Sequence, residues 1–426
     1  MLTASVSPAN QWSWWQKILF RFCCIYVLLY MTPWTWLGDI PVLGLIGEYY
    51  GKAEAQLVNL ANTYIFHVKD VLVPLNGSGD TSYGYAQLFF FILTATTGSI
   101  LWALLDRRKN YDIAYYWLLV LIRYYVAMVA LRYGIIKLFG QQMIFPSMSA
   151  LATPLGDLLP MRFSWYFIGY STPYQFFSGA VEVLAGVLLL FRRTGTLGAF
   201  IAASVFLNVM MMNLCYDIPV KLFSIHLFLF SNLLLVGDAK RLLNFFVFNK
   251  PTEPAPRLTL PRTWMRTTQT ALKVVFAGLF LIMPLFGSYQ RAYGVSDSPR
   301  IQILTSGFFT VDQFKGNVAD SLRWKDVVFE ATNSGSIQTA DTLLRQRYRR
   351  GYFSYTLDSL KQTIDFKKFA TDSTALFSMG YTMPDTNHIV LQGKIRNDSV
   401  VVALKRQKRH FQLAERQFHW LSEANR

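Results

Sequence analysis

Charged residues are scarce in this sequence of 426 residues. Asp, Glu, Lys and Arg make up 15% of it and apolar residues make up 53%, whereas soluble domains carry about 25% charged residues. The mean hydropathy is positive, and apolar runs of about 20 residues recur along the chain. This composition excludes an ordinary soluble globular domain and predicts a helical membrane protein.

Cysteine is also rare, and the common cofactor motifs are missing. Cys23, Cys24 and Cys215 all lie in or beside apolar runs, and no CxxC pair exists. This argues against a thiol–disulfide relay within the chain and against a zinc ribbon. There is no haem pair, flavin fingerprint, catalytic triad or nucleotide loop. The cofactor is therefore unknown, and any redox cofactor would be diffusible or carried by a partner protein.

The net charge of +16 does not indicate a nucleic-acid-binding protein. Basic residues concentrate in short loops beside apolar runs, as membrane topology requires, and no basic motif interleaved with aromatic residues is present. The histidines of the C-terminal region, His388, His410 and His419, are scattered, so no metal site is predicted. The start, "MLTASVSPANQWSWWQK", lacks a basic n-region, so we expect the first apolar run to be a retained signal anchor.

Apolar length predicts about seven membrane spans. They are 17–37, 84–105, 113–138, 173–191, 196–215, 219–237 and 269–288. The basic connections 106–110, 192–195 and 238–267 all fall on one side if the spans alternate, and that side is predicted to be cytoplasmic. The connections 38–83 and 139–172, rich in aromatic residues and proline, are expected to form interfacial or partly re-entrant helices on the opposite side.

The C-terminal region changes from long apolar runs to period-two alternation. In "IVLQGKIRNDSVVVALKRQ", Ile389, Leu391 and Ile395 alternate with polar residues, and Val400 and Val402 repeat the pattern after the "RND" turn. About eight such strands predict an antiparallel all-β domain, a sandwich or a small barrel, outside the membrane. The predicted domains are 1–112 (anchor region), 113–242 (four-helix core), 243–297 (basic loop and seventh span) and 298–426 (β domain).

Polar side chains recur where the chain is predicted to lie in the membrane. The stretch 208–228, "NVMMMNLCYDIPVKLFSIHLF", places amides, an acid, a base and an imidazole at or near membrane depth. A charged group at the bilayer centre costs about 2.5–3.5 kcal/mol or more, so such groups persist where they pair, face water or form a site. The predicted substrate-binding residues are Gln141, Asn208, Asn213, Asp217, Lys221, His226 and Arg123.

Glu182 and Lys137 are the predicted catalytic residues. Glu182 lies about 12 Å inside span four, and its small neighbours Ser178, Gly179 and Gly186 predict close helix contact on its face. Its carboxyl should therefore point into the bundle. We expect Glu182 to relay a proton and Lys137 to bind an anion or neutralise a developing negative charge, in one cavity open to the extracytoplasmic side.

Local explanations compete with this shared cavity. Lys137 can snorkel, Asp217 and Lys221 can be solvated turn residues, and Asn208 can hydrogen-bond neighbouring helices. For Glu182, which lies too deep to snorkel, the alternative is a structural ion pair.

The block from Tyr124 to Leu242 resembles the four-helix core of the DoxX-like membrane proteins, which include relatives of the small subunit of thiosulfate:quinone oxidoreductase. The resemblance rests on "YGIIKLFGQQM", on "GAVEVLAGVLLLFRRTGTLGAFIAASVFLNVMMMN" and on its basic "RRTG" turn. The ending "RHFQLAERQFHWLSEANR" resembles the longer DoxX-like proteins of Bacteroidetes-type bacteria. The resemblance implies a quinone- or sulfur-linked redox step; the extra spans and the β domain depart from the small subunit.

The first functional hypothesis is therefore a membrane oxidoreductase component in a bacterial inner membrane, with a cytoplasmic N-terminus and a periplasmic β domain. Its partners would be the bilayer and a redox or envelope protein, without nucleic acid. The alternatives are a non-enzymatic envelope protein whose β domain binds a partner or a lipophilic ligand, a membrane domain similar to that of vitamin K-dependent carboxylase, and a transporter.

Overall fold

The computed structural model of the chain describes residues 11–38, 41–252, 262–294, 306–416 and 419–421. The first residues of the predicted anchor region, parts of the 238–267 loop, the start of the predicted β domain and parts of the tail motif lie outside these ranges. The helices are α1 (Trp14–Met31), α2 (Pro41–Ala61), α3 (Ser82–Leu105), α4 (Asp112–Leu138), α5 (Met148–Leu151), α6 (Pro160–Tyr170), α7 (Thr172–Leu190), α8 (Gly195–Cys215), α9 (Lys221–Val236), α10 (Ala239–Phe246), α11 (Thr263–Ala277), α12 (Met283–Tyr293) and α13 (Gln412–Glu415).

The prediction of an integral membrane bundle is confirmed. Within the described ranges, six helices are long and apolar enough to cross a bilayer: Trp14–Thr35, Ser82–Leu105, Asp112–Leu138, Thr172–Leu190, Gly195–Cys215 and Thr263–Tyr293. The predicted span 219–237 corresponds to α9, which is too short by itself and qualifies only together with α10, at a 78° bend. The number of spans is therefore six or seven, and the orientation across the membrane stays a prediction.

The C-terminal strands form a closed antiparallel barrel. The strands are β1 (Gly307–Lys315), β2 (Asp326–Phe329), β3 (Ser334–Ile337), β4 (Arg345–Arg347), β5 (Arg350–Asp358), β6 (Thr363–Lys367), β7 (Phe377–Asp385), β8 (His388–Ile395) and β9 (Asp398–Gln407). Strands β1 to β3 pair in chain order, and so do β5 to β9. β3 also pairs with β5 and β9 with β1, so eight strands close the barrel and β4 pairs with β5 outside this closed circle. Of the two predicted all-β architectures, the barrel is the one that forms.

The hairpin predicted from period-two alternation is present as β8 and β9. Ile389 pairs with Leu404 and Leu391 with Val402, and these four side chains are buried. They join aromatic residues that fill the barrel interior, among them Phe309, Trp324, Phe329, Phe353, Phe366 and Phe377. The barrel thus has a packed core, as expected for a small barrel whose inward positions are taken by large side chains.

The structure forms two compact units that do not follow chain order. The described residues of Met1–Gln142 and Pro173–Gly294 form one unit. Those of Met143–Thr172 and Val295–Arg426 form the other. The connection between the third and fourth predicted spans is therefore part of the barrel unit. Its predicted short helices are present as α5 and α6, and we call residues 143–172 the strap.

The strap covers part of the outer surface of the barrel. Ala152 is buried against Phe308 and Val328, and the backbone N–H of Ser149 donates to Glu330 Oε1 at 2.7 Å. At the β4–β5 turn, Tyr348 and Arg349 both adopt positive φ. The strap supports this turn, because Arg162 donates to the Tyr348 hydroxyl at 3.0 Å and Asp157 pairs with Arg349 at 3.2 Å. The strap thus closes a face of the barrel by apolar contact and by hydrogen bonds.

Candidate functional site

Glu182 and Lys137 form an ion pair inside the helical unit. Lys137 Nζ donates to Glu182 Oε1, and the two side chains are only 8% and 1% exposed. The other carboxylate oxygen, Oε2, is buried without a hydrogen-bond partner among the described residues. The pair is thus nearly dry, and removing either partner would leave a charge without compensation.

Glycines bring the two helices that carry this pair into contact. A Cβ at Gly179 of α7 would lie 2.6 Å from the Gly134 carbonyl oxygen of α4 and 2.8 Å from Lys137 Cβ. A Cβ at Gly186 would lie 2.7 Å from Leu131 Cγ. The sequence-based expectation that the small residues near Glu182 mark a helix contact therefore agrees with the geometry, and the role of Glu182 in a reaction stays a prediction.

Gly179→Ala should consequently destabilise the bundle by about 1–3 kcal/mol, because the added methyl group meets backbone atoms that can move only with the helix. The measurement is the thermal unfolding midpoint of the purified protein in detergent. Gly287→Ala on α12 is the matched control, since a Cβ there meets nothing within 4 Å. An equal midpoint for the two variants would contradict the close approach of α4 and α7.

The polar residues of the 213–221 turn hold the start of α9. Asp80 accepts the backbone N–H groups of Lys221 at 2.7 Å and of Leu222 at 3.0 Å, which caps the helix. The Lys221 ammonium pairs with Asp217 at 2.6 Å, and Asn213 Nδ2 donates to the Val220 carbonyl at 3.5 Å. The helix begins two residues later than predicted, because the cap comes from a distant loop.

Three other predicted residues have different surroundings. Asn208 is exposed on α8, in a shallow groove with Leu207 and Met211. Gln141 donates to the Ser288 carbonyl at 2.8 Å, and the Arg123 guanidinium lies over the Tyr124 ring. Among the described residues, the members of the predicted set are instead divided between an ion pair, a helix cap and separate helix contacts. Their assignment as site residues stays a prediction.

His226, in contrast, lines a cavity of about 390 Å³. The cavity lies where α1 ends and α3 and α9 begin, with α2 along one side. Its lining combines aromatic rings with polar groups: Tyr30, Tyr50, Glu54, Gln87, Tyr125 and His226. We call this space the His226 cavity.

Hydrogen bonds fix the imidazole of His226 in one tautomer. Nδ1 lies 2.6 Å from the Leu222 carbonyl oxygen, and a carbonyl only accepts, so Nδ1 carries the proton. In the neutral ring Nε2 then accepts from the Tyr26 hydroxyl, 2.6 Å away. The Tyr30 ring stacks on the imidazole with centroids 4.0 Å apart. These contacts therefore fix both the orientation of the ring and the nitrogen that carries its proton.

Glu54 supplies the acidic group of the same cavity. It is 9% exposed, and Gln87 Nε2 donates to its Oε1. Burial, followed by the neighbouring Glu54 carboxylate, raises the pKa of the Tyr50 hydroxyl well above its ordinary value. Tyr50 therefore keeps its proton, and Gln87 donates the hydrogen bond that orients the Glu54 carboxylate.

Sequence reasoning missed Glu54, which lies in a region interpreted as interfacial helix. A signal was present, because Gly47, Gly51 and Glu54 share one face of α2 and all line the cavity. This is the same combination of small residues and a glutamate that singled out Glu182 on span four.

Comparison with known proteins is limited to a short stretch. No family model matches the chain, and no solved structure matches it. Over 83 residues, 20% of its length, the chain is 40% identical to the uncharacterized protein YwoB of Bacillus subtilis (strain 168). That stretch covers 54% of YwoB, so the chain spans about half the length of this curated relative.

Proposed function

We propose that this membrane protein binds a lipophilic ring compound of the quinone class in the His226 cavity, as a component of a membrane redox reaction. The observation that carries the proposal is a cavity in which a carboxylate and a tautomer-fixed imidazole stand among aromatic rings. We also propose that residues 113–242 are a DoxX-like core, which is consistent with such a role.

Size and lining favour a single ring as the ligand. Small-molecule sites range from about 300 to 1,000 Å³ and are mostly apolar with a few placed polar groups. At about 390 Å³ the His226 cavity lies at the lower end of that range. Tyr30 and Tyr125 offer flat apolar faces, and their hydroxyl groups can donate hydrogen bonds to ring carbonyl oxygens.

The polar groups also suit the proton transfers of quinone chemistry. Reduction of a quinone to its quinol requires protons at both carbonyl oxygens as electrons arrive, and the electrons would come from a redox partner protein. Glu54 is a group that can take up and release protons beside the ring, whereas both ring nitrogens of His226 are already hydrogen-bonded, to Leu222 and to Tyr26. The Lys137–Glu182 pair is less suited to direct ligand contact, because each member already neutralises the other at a closed helix contact.

The alternative, a lipophilic ligand inside the β barrel, is less favoured. Large aromatic side chains such as Phe309, Phe329 and Phe366, each fully buried, fill the space that a ligand would need. The barrel can still serve as a surface for a protein partner.

Two variants test the ligand site. Gly51→Leu should abolish binding of a short-chain quinone, because the position lines the cavity and a Cβ there meets nothing within 4 Å, so the side chain can fill the space. Glu54→Gln should weaken binding about tenfold or more, the worth of a hydrogen bond to a charged group. Binding is measured by the shift of the thermal unfolding midpoint with quinone concentration.

Glu48→Gln is the matched control, because Glu48 is an exposed residue of the same helix. Mass spectrometry of lipids extracted from the wild-type protein should detect a co-purified quinone that is missing from Gly51→Leu. Equal quinone binding by wild type, Gly51→Leu and Glu54→Gln would rule out this site.

A further inference from the structure

The outer face of α8 carries a polar side chain at membrane depth. This helix is a candidate span of 21 residues, about 31 Å long. Asn208 precedes the last residue, Cys215, by about 10 Å, which places its amide inside a hydrocarbon layer about 30 Å thick. Asn208 is exposed instead of buried in the bundle. Its amide therefore lies where hydrocarbon chains offer neither a donor nor an acceptor.

The Asn208 amide has no hydrogen-bond partner within the part of the chain that the structure describes. Two other asparagines on helices behave differently, because each donates to a carbonyl of its own helix. Asn232 Nδ2 donates to the Phe228 carbonyl at 2.8 Å on α9, and Asn59 Nδ2 donates to the Ala55 carbonyl at 2.8 Å on α2. An amide without a partner in an apolar medium is costly, so that of Asn208 favours a partner from outside this chain.

Asn208 belongs to an exposed row of side chains along α8. The row is Ser204, Asn208, Met211 and Cys215, and all four residues are exposed. Their spacing of four, three and four residues places them on one face of the helix, in the pattern by which paired helices interlock. The same four residues line a shallow groove of about 400 Å³. We call them the α8 stripe, and its groove can accept the side chains of a second helix.

Other parts of α8 are already used for packing within the chain. A Cβ at Gly198 would lie 2.9 Å from the Leu189 backbone nitrogen, so this side of the helix packs closely on α7. Near the start of α8, the Phe200 ring stacks on Phe246 of α10, with centroids 6.3 Å apart. The α8 stripe lies on the second half of the helix, beyond these contacts, and is exposed in the described chain.

A second copy of the chain is the partner that this surface fits. A carboxamide both donates and accepts, so two Asn208 side chains that face each other across a two-fold axis satisfy one another. Copies inserted in the same orientation hold Asn208 at the same depth, whereas an unrelated helix would need a polar group at that level. A single asparagine in the contact row of two parallel helices fixes their register, and hydrogen bonds between polar side chains stabilise helix pairs in membranes.

We propose that the α8 stripe is a homodimer interface, in which two parallel α8 helices pack together and their Asn208 amides pair. No residue of α8 lines the His226 cavity. The interface is therefore independent of the ligand that this cavity binds.

Asn208→Leu should raise the dimer dissociation constant about tenfold, the worth of a hydrogen bond between membrane helices. The measurement is single-molecule photobleaching of the labelled full chain in phosphatidylcholine vesicles over a range of protein-to-lipid ratios. Asn208→Gln keeps the amide and should retain most of the dimer. Asn232→Leu is the matched control, because the Asn232 amide is bonded within its own helix and its loss should leave the dimer unchanged. Thermal unfolding in detergent checks that each variant folds.

Disulfide cross-linking gives a second readout, because Cys215 is a free, exposed cysteine at the end of the α8 stripe. In a chain that also carries Cys23→Ser and Cys24→Ser, mild oxidation should link two copies through Cys215, since equivalent contact positions of parallel helices face each other. Leu214→Cys combined with Cys215→Ser is the matched control. That cysteine has nearly the same depth but lies about 100° around the helix, so it should link poorly.

A wild type that is monomeric at every protein-to-lipid ratio would overturn the interface, and so would a lipid or another protein found on α8 of that monomer by mass spectrometry. Equal dimer fractions for the wild type and Asn208→Leu would also overturn it, as would equal cross-linking through Cys215 and through Leu214→Cys. Equal losses in Asn208→Gln and Asn208→Leu would exclude the pairing of the amides.

Discussion

Lys137→Met should lower the free energy of unfolding by about 3–5 kcal/mol, the cost of leaving one partner of a buried ion pair uncompensated. Glu182 would remain behind with 1% of its side chain exposed and both oxygens without a cation. The loss should be visible as a lower unfolding midpoint in detergent and as reduced abundance in the membrane. Arg132→Met on the same helix is the control, because Arg132 is exposed.

The double variant Lys137→Met/Glu182→Gln separates structure from chemistry. It removes both charges, so most of the lost stability should return. If Glu182 also relays protons, quinone-dependent turnover should stay low in the stable double variant. Full turnover in the double variant would exclude the predicted catalytic role of Glu182. If the double variant did not regain stability, the pair would stabilise the fold by more than the mutual neutralisation of its two charges.

Ala152→Arg should destabilise the barrel unit by several kcal/mol, because it places an unpaired charge where the strap packs on the barrel. Ala152 is 6% exposed and contacts Phe308 and Val328. The expected result is earlier thermal unfolding and faster proteolytic cleavage within the barrel unit. Leu155→Arg, at a position of the strap that is 68% exposed, should leave both measurements near wild type.

The stability of Ala152→Arg also determines whether deletion of the barrel leaves the strap intact. A variant that lacks residues 298–426 would keep the strap but lose the barrel on which the strap packs. A loss of activity in that variant would therefore not by itself assign a function to the barrel. Unchanged stability of Ala152→Arg would mean instead that the strap contact is dispensable. A loss of activity on deletion of residues 298–426 could then be assigned to the barrel.

The sequence predicted most of the architecture because the signals are local. Apolar length alone located Ser82–Leu105 and Asp112–Leu138, and alternation with a turn predicted the β8–β9 hairpin. The small residues around Glu182 correctly indicated a helix contact. Where the chain bends, as between α9 and α10, length no longer decides whether a helix crosses the bilayer.

The polar residues were harder to interpret, because the same side chain serves as a cap, an ion pair or a ligand contact. Asp217 and Lys221 pair within one turn, whereas Asp80, 141 residues away from Lys221, caps α9. Glu54 and Gln87 come from different helices and meet in the His226 cavity. No periodicity within either segment specifies such a partner.

By itself, the sequence determined that this protein has a helical membrane bundle and an antiparallel β domain, since hydrophobic length and alternation are properties of each segment alone. Only the tertiary structure decided that the strap folds with the barrel, that Lys137 neutralises Glu182, and that Glu54 and His226 share a cavity. Those pairings depend on how segments far apart in the chain pack, and burial then determines which polar groups must find partners.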